Sequence, residues 1–338
     1  MFWDTDGMQI QERQIIMKRY NILVTGVGAI IGYGIIKCLR KSKYDCYITG
    51  MDIYEDAVGQ AWTDEFIQAV PASDCSYPKF LRTIIERKNI DLVFFGTEQE
   101  IAKVLNSERD LGEFYGRLVL NRREVILLSG DKWETHKFLK DNKLPSIPSS
   151  VEKDYQTLIR TLGSPFLIKP RRSYAGKGIV IVDSEDKFKF YAKHMESENY
   201  MVQKMTGDDQ HEYTAAAFGF GDGTGTGPII LKRRLSQEGA TAKAWVVECY
   251  EIEEQIRCLM RLLRPIGPTN FQFRKEGKTY FLLEINPRIS SSTSIRQSFG
   301  FNEAEMCIEW YGEHKRAGER TVRQGRALRY IEDWVEIK

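Results

Sequence analysis

The chain has 338 residues, 42% of them hydrophobic and 28% charged, a length that allows two or three cores and the balance of a soluble globular protein. A formal net charge of +2 speaks against a nucleic-acid or membrane partner, and no apolar run approaches the ~20 residues of a membrane span. The six cysteines, Cys38, Cys46, Cys75, Cys249, Cys258 and Cys307, form no CxxC pair, which points to reduced thiols in a cytoplasmic protein.

The segment before residue 17 carries Asp4 and Asp6 among too few apolar residues for a signal peptide. Residues 1–16 are expected to be a dispensable extension ahead of Met17. From Asn21 to about Asn121, short apolar strands at Ile22–Thr25, Cys46–Met51, Leu92–Phe95 and Leu118–Leu120 alternate with helical spacing at Ile31, Ile35, Ile36 and Leu39 and at Phe80, Leu81, Ile84 and Ile85. That alternation predicts a parallel, doubly wound sheet over residues 17–128. Gly26-Val27-Gly28, followed by Gly32 and Gly34 and by Asp52 at the next strand end, invites NAD binding, with pyrophosphate on the helix N-terminus. The third glycine falls one residue late for that fingerprint, and glycines also let a strand and helix pack closely.

A second region, residues 129–205, opens on Ser129-Gly130-Asp131 as a helix start and breaks at Leu144-Pro145 and Ile147-Pro148. Strands follow at Phe166–Lys169, Ile179–Val182 and Tyr200–Lys204, with a helix over Ser184–Met195. The third region, 206–338, is strand-rich, with a helix over Glu251–Leu263. The whole reads as α/β, turning to α+β in its second and third regions.

Two segments carry chemistry. Lys169 ends an apolar strand and leads into Arg171-Arg172-Ser173-Tyr174-Ala175-Gly176-Lys177-Gly178. A loop of small residues can fold over phosphates and donate backbone N–H groups, while the lysine supplies charge; a hairpin with a snorkelling lysine is the plainer alternative. Further on, Thr269–Arg274 and Thr279–Ile285 flank the turn Glu276-Gly277-Lys278. A turn centred on Gly277 sets Gln272 opposite Leu282, puts Gln272, Glu284 and Asn286 on one face, and assigns Phe271, Phe273, Phe281, Leu283 and Ile285 to the core. Asn270, Gln272, Glu284 and Asn286 are hard oxygen donors of the kind magnesium takes alongside phosphate. Pro287-Arg288 and a hydroxyl run from Ser290 to Thr293 follow, suited to anion recognition.

These residues resemble the ATP-grasp superfamily, most closely the ATP-grasp unit of the carbamoyl-phosphate synthase large subunit and single-unit carboxylate–amine ligases. Asn270-Phe271-Gln272 followed by Glu284-Ile285-Asn286-Pro287-Arg288 is its most specific part. The resemblance implies an N-terminal Rossmann-like domain ahead of a two-part grasp, and ATP with magnesium (manganese as the substitute) as cofactors. It makes Lys169 and Lys132 cations on the phosphates and Ser173, Gly176 and Gly178 part of the phosphate loop. Gln203, Lys204 and Met205 would hold adenine, and Glu212 the ribose. Gln272, Glu284 and Asn286 would be metal ligands, with Arg288 on the transferred phosphoryl group or the substrate carboxylate. Ser291 stands where the synthase has an arginine, so a bicarbonate-specific anion site is not implied.

The activity implied is an ATP-dependent carboxylate–amine ligase working through an acyl phosphate on small-molecule carboxylate and amine substrates, with room for a homodimer. Its rivals are a catalytically silent ATP-binding scaffold, an NAD-dependent oxidoreductase and carbamoyl-phosphate-type chemistry within the family. Glu98 and Glu100 either line the substrate cleft or cap the next helix; Arg233 and Arg234 either bind substrate anions or are solvated. His136, His194, His211 and His314 form no metal-binding pair.

Overall fold

The computed structural model describes residues 18–173, 177–193, 195, 199–237 and 239–336. The expected extension over 1–16, Gly176 of the phosphate loop, and His194 lie outside the described residues.

The first unit is a parallel four-stranded sheet. Its elements are β1 (Arg19–Thr25), α1 (Ile30–Arg40), β2 (Asp45–Asp52), β3 (Glu65–Gln68), α2 (Tyr77–Arg87) and β4 (Leu92–Phe94), with strand order β3-β2-β1-β4. The strands are nearly continuous apolar runs because both faces are covered. Leu23 and Val93 join Leu81 and Ile85 of α2 on one side. Ile22, Val24 and Phe94 join Ile35, Ile36 and Leu39 of α1 on the other. Gly26 has φ +58°, and a Cβ on Gly32 would sit 2.2 Å from the Gly26 carbonyl oxygen, so these glycines let α1 start against the end of β1.

The expected strand over Leu118–Leu120 reduces to a single bridge, Val93 with Leu118. The chain is drawn away by side chains of other elements. Tyr311 donates to the Leu120 carbonyl at 2.8 Å, and the Asn121 amide binds the Ile266 N–H and the Thr269 hydroxyl, each at 3.0 Å.

Four helices lead onward: α3 (Glu98–Val104), α4 (Glu108–Leu111), α5 (Arg123–Ser129) and α6 (Lys132–Asp141). Asp131 caps α6, its carboxylate accepting from the Trp133 and Glu134 N–H groups. A second sheet, order β5-β8-β6-β7, comprises β5 (Ser149–Ser150), β6 (Phe166–Pro170), β7 (Val180–Val182) and β8 (Tyr200–Lys204), with α7 (Tyr155–Leu162) and α8 (Glu185–Ala192) packed on it. It has its own core of Leu158, Phe166, Ile168, Val182, Phe188 and Val202.

The largest sheet is antiparallel, order β13-β12-β9-β10-β11-β14, built from β9 (Glu212–Phe220), β10 (Ile229–Leu235), β11 (Thr241–Val246), β12 (Ile266–Glu276), β13 (Thr279–Asn286) and β14 (Arg326–Leu328). One face packs on α9 (Tyr250–Leu263) through Ala215, Ala217, Phe271, Phe273 and Ile285. The other face meets the first unit through Ala216, Phe218, Ile229 and Leu231, joined by residues of α10 (Thr293–Ser298) and α11 (Glu303–Cys307). No helix among the described residues is long and apolar enough to cross a membrane.

The hairpin register departs from the expected one. Gln272 pairs with Glu284 rather than Leu282, and Phe273 pairs with Leu282, leaving Leu283 as the extra residue of a β-bulge. A bulge shifts the alternation by one position. Tyr280, Leu282 and Ile285 are therefore the buried core residues of β13, while Phe281 and Leu283 are only partly buried.

Candidate nucleotide and metal site

The face of the large sheet that carries Ala216 and Ile229 becomes polar toward one end, because each strand keeps its alternation while its residue types change. Glu212 and Thr214 on β9, Arg233 on β10, Asn270 and Gln272 on β12, and Glu284 and Asn286 on β13 share that face. The register places Asn270 beside Asn286 and Gln272 beside Glu284. The bulge brings Glu284 directly opposite Gln272, so the three expected metal-binding side chains do come together.

Their partners differ. The Gln272 carbonyl oxygen accepts from Arg233 Nη2 at 2.8 Å, and a guanidinium on that oxygen opposes its use as a metal ligand in this conformation. Asn286 donates to Glu284 Oε2 at 3.3 Å and accepts from Arg288 Nη2 at 3.1 Å. Glu284 is the carboxylate of the group, and no arginine or lysine is within ion-pair distance of it among the described residues. One carboxylate with a neighbouring amide fits magnesium, which takes few protein ligands and completes its shell with phosphate oxygens and water.

Lys169, on β6, is buried, only 7% exposed, and donates from Nζ to the Gln203 side-chain oxygen at 2.6 Å. Gln203 in turn donates to Ser149 Oγ at 2.9 Å. Among the described residues no carboxylate lies within ion-pair distance of Lys169. Burial, then the repulsion of Lys132, depress its pKa to about 8, and Glu284 partly opposes the shift. Lys132, the first residue of α6, points into the same region and donates to the carbonyl and hydroxyl oxygens of Ser173. Two cations, one carboxylate and the start of the glycine loop thus converge where a polyanion would satisfy both lysines. Gly178 closes the described part of that loop at φ +78°. Arg171 anchors its other end, ion-paired to Asp131 at 2.8 Å.

The remaining expected contacts are placed less simply. Lys204 turns its ammonium to Glu276 at 3.0 Å, leaving its backbone as its route to a nucleotide. Met205 is 40% exposed. Glu212 has both oxygens engaged, by Arg233 at 2.7 Å and Arg274 at 2.8 Å. Burial opposes its ionisation, but the two arginines hold its carboxyl below the usual range. In this conformation Glu212 organises arginines rather than facing an open cleft. Arg288 is clasped by Glu98 through Nε and Nη2.

Glu98 and Glu100 both sit in the first turn of α3 and divide in role. Glu98 reaches Arg288, whereas Glu100 is buried and accepts from Thr25 Oγ1 at 2.5 Å, Tyr77 at 2.8 Å and Thr97 Oγ1 at 2.8 Å. Burial raises its pKa against those three donors. Asp52 closes the Gly26–Gly34 turn from within: its Oδ2 accepts from the Gly28 N–H at 2.7 Å and its Oδ1 from the Tyr54 N–H. A carboxylate on that N–H occupies the place a pyrophosphate would need.

Arg233, expected either to bind substrate anions or to be solvated, is instead buried against Glu212 and Gln272, and the unforeseen residue is Arg296. Arg296 on α10 is fully buried and donates to Ser290 Oγ, Thr214 Oγ1, Glu303 and Asn270 Oδ1. The hydroxyl run ahead of it was the available sign, because Ser290 lies among its acceptors.

No family model matches the sequence. An uncharacterized protein of Mycoplasma genitalium is 28% identical over 136 residues, which is 38% of this chain and 45% of that protein, so the match spans less than half of the relative. Among solved structures, N5-carboxyaminoimidazole synthetase from Staphylococcus aureus, complexed with ADP, aligns at a TM-score of 0.71 and 19% identity over 90% of this chain and 80% of that one. Biotin carboxylase from Campylobacter jejuni, in a β,γ-ATP complex, aligns at 0.72 and 13% over 90% and 74%. The biotin carboxylase domain dimer of 2-oxoglutarate carboxylase from Hydrogenobacter thermophilus, with MgADP, ADP and bicarbonate, aligns at 0.69 and 14% over 90% and 73%. Likeness at these identities establishes the architecture: the chain has the ATP-grasp fold, preceded by a Rossmann-like unit.

Proposed function

We propose that the protein is an ATP-dependent carboxylate–amine ligase of the ATP-grasp type, using magnesium and small-molecule substrates. One observation carries this reading: Lys169 is a buried cation with no carboxylate partner among the described residues, and it shares its space with Lys132 and Glu284. A buried unpaired charge is costly, and a triphosphate compensates both lysines at once. The neighbours that bind ADP, MgADP or an ATP analogue support the same assignment, with residues 129–205 as the lid and 206–338 as the body of the grasp.

In the proposed reaction a carboxylate oxygen attacks the γ-phosphorus. The bond from that phosphorus to the β,γ-bridging oxygen breaks, and ADP leaves. The amine nitrogen then attacks the acyl carbon, the acyl–oxygen bond breaks, phosphate departs, and the nitrogen loses its proton to solvent. Lys169 and Lys132 hold the phosphate oxygens, Arg288 orients the carboxylate, and Glu284 with Asn286 would hold magnesium. Magnesium, when bound, neutralises charge on the phosphate oxygens. Gln203 steers Lys169 through its hydrogen bond. Preorganised charges of this kind need no covalent protein intermediate.

A thermal-shift comparison tests the nucleotide assignment. MgATP at 100 times its Kd should stabilise the protein by about 2.7 kcal/mol, and NAD should leave it unmoved; stabilisation by NAD alone would favour the oxidoreductase. ADP release driven by a paired carboxylate and amine distinguishes a ligase from a silent scaffold.

Lys169 also predicts a pH dependence. Phosphates select its protonated form, so MgADP affinity should fall as pH rises above about 8, by up to about tenfold per unit. Without nucleotide the sign reverses. The folded pKa lies below the ordinary 10.5, so the fold favours the neutral amine and stability rises with pH between those values. Calorimetric titration at pH 7, 8 and 9 should give a flat profile in Lys169→Arg; a wild-type profile equally flat would remove Lys169 from the phosphates.

A further inference from the structure

Beside the converging charges lies a cleft of about 430 Å³ whose walls change character along its length. At one end are Arg288, Glu284, Asn286 and Ser173. At the other, α3 contributes Ile101 and Ala102, the residue after α3 is Leu105, and α5 contributes Ile126 and Leu127. The cations lining it are Arg288 and Arg172, and Arg172 is already ion-paired to Asp131 at 3.1 Å. Asn106, Ser129 and Gly130 also line the cleft, and Arg123 nearby is taken up by the Leu105 carbonyl and Asn106, so the apolar stretch offers a phosphate no unengaged cation among the described lining residues.

The charged end already holds a carboxylate. Glu98 lays one oxygen against both Nε and Nη2 of Arg288, a charge-assisted contact that a two-oxygen, side-on carboxylate would replace with two parallel bonds. The Glu98 side chain is 37% exposed and sits in the first turn of a surface helix, so it can be displaced by rotation. It stands where an incoming acid would place its own carboxylate.

From these two ends the geometry points to the acid substrate being a monocarboxylate with an apolar body, its carboxylate replacing Glu98 on Arg288 and its hydrocarbon lying against Ile101, Ala102, Leu105, Ile126 and Leu127. This rests on the ligase reading, and it narrows the substrate class. Sugar phosphates and dicarboxylates would bury unpaired charge against that wall. Leu127, 54% exposed on a helix, is an apolar side chain left partly in water, which such a ligand would cover.

The test is calorimetry with acetate, butyrate and hexanoate, and with succinate as the dicarboxylate, each run on the full chain with and without MgADP. Each buried methylene should tighten binding about fourfold, so hexanoate, with four more methylenes, should bind roughly 250-fold more tightly than acetate, and succinate no better than acetate. Glu98→Gln should tighten every monocarboxylate by freeing Arg288, and Leu127→Glu should remove most of the hexanoate advantage while leaving acetate and MgADP affinities unchanged. Equal affinity along the series, preference for succinate, or a hexanoate advantage that survives Leu127→Glu would overturn the inference. MgADP binding without chain-length dependence would sink the substrate class alone; chain-length dependence without MgADP binding would sink the ligase reading and leave the apolar-acid site standing.

Discussion

Replacing Glu284 by glutamine should cut ATP turnover by about a thousandfold, the upper end of the loss when one preorganised electrostatic contact is removed. Glutamine keeps the size and one oxygen but removes the negative charge. Among the described residues the Glu284 side chain makes one long hydrogen bond, with Asn286, and its strand is held by the β12 ladder, so the fold and its denaturation midpoint should not move. A second readout separates a metal or electrostatic role from simple disturbance. Glu284 raises the pKa of Lys169, so the pH at which MgADP affinity begins to fall should move below about 8 in Glu284→Gln. ADP release near the wild-type rate in steady-state assays would contradict the assignment of Glu284 to the metal.

The residues that carry this prediction were legible from the sequence because strand alternation is local. Any strand with Gln272 on one face and Phe271 and Phe273 on the other must direct the glutamine away from the core. Alternation does not fix register across a hairpin with a bulge, and there the sequence misled. Nothing in Phe281–Glu284 announces that Leu283 is the extra residue, so Phe281 and Leu283 were placed in the core and Tyr280 and Leu282 were not. The parallel sheet was legible for a related reason, since strands covered on both faces read as apolar runs. Leu118–Leu120 reads the same way, yet Tyr311 and Asn121 carry it off the sheet through contacts distant in sequence. Long-range polar pairing was the illegible part. Arg233 lies 21 residues from Glu212 and 39 from Gln272, and only the order β12-β9-β10 brings the three together. The same pairing holds Gln272 on an arginine, which is why the proposed magnesium site rests on Glu284 and Asn286.

Removing the Glu303 carboxylate should destabilise the fold by about 3–5 kcal/mol, the cost of leaving a buried partner charge uncompensated. Arg296 and Glu303 are both wholly inaccessible to solvent. Arg296 finds its other partners in neutral oxygens of Ser290, Thr214 and Asn270, and its Nε has none among the described residues. In Glu303→Ala the guanidinium therefore keeps its hydrogen bonds to those neutral oxygens but loses the one carboxylate that pairs with it among the described residues. Urea unfolding should give a lower midpoint with an unchanged slope. The double variant Arg296→Met, Glu303→Leu should recover most of that loss, because a packed apolar pair avoids the desolvation that the ion pair must offset. It should not recover turnover. Arg296 holds the Asn270 side chain, and Asn270 lies opposite Asn286 across the hairpin, so without it the amide beside Glu284 loses a fixed neighbour. Recovery of stability and rate together would make Arg296 a packing residue alone; recovery of stability without rate would make the buried pair a positioning device for the metal end of the cleft.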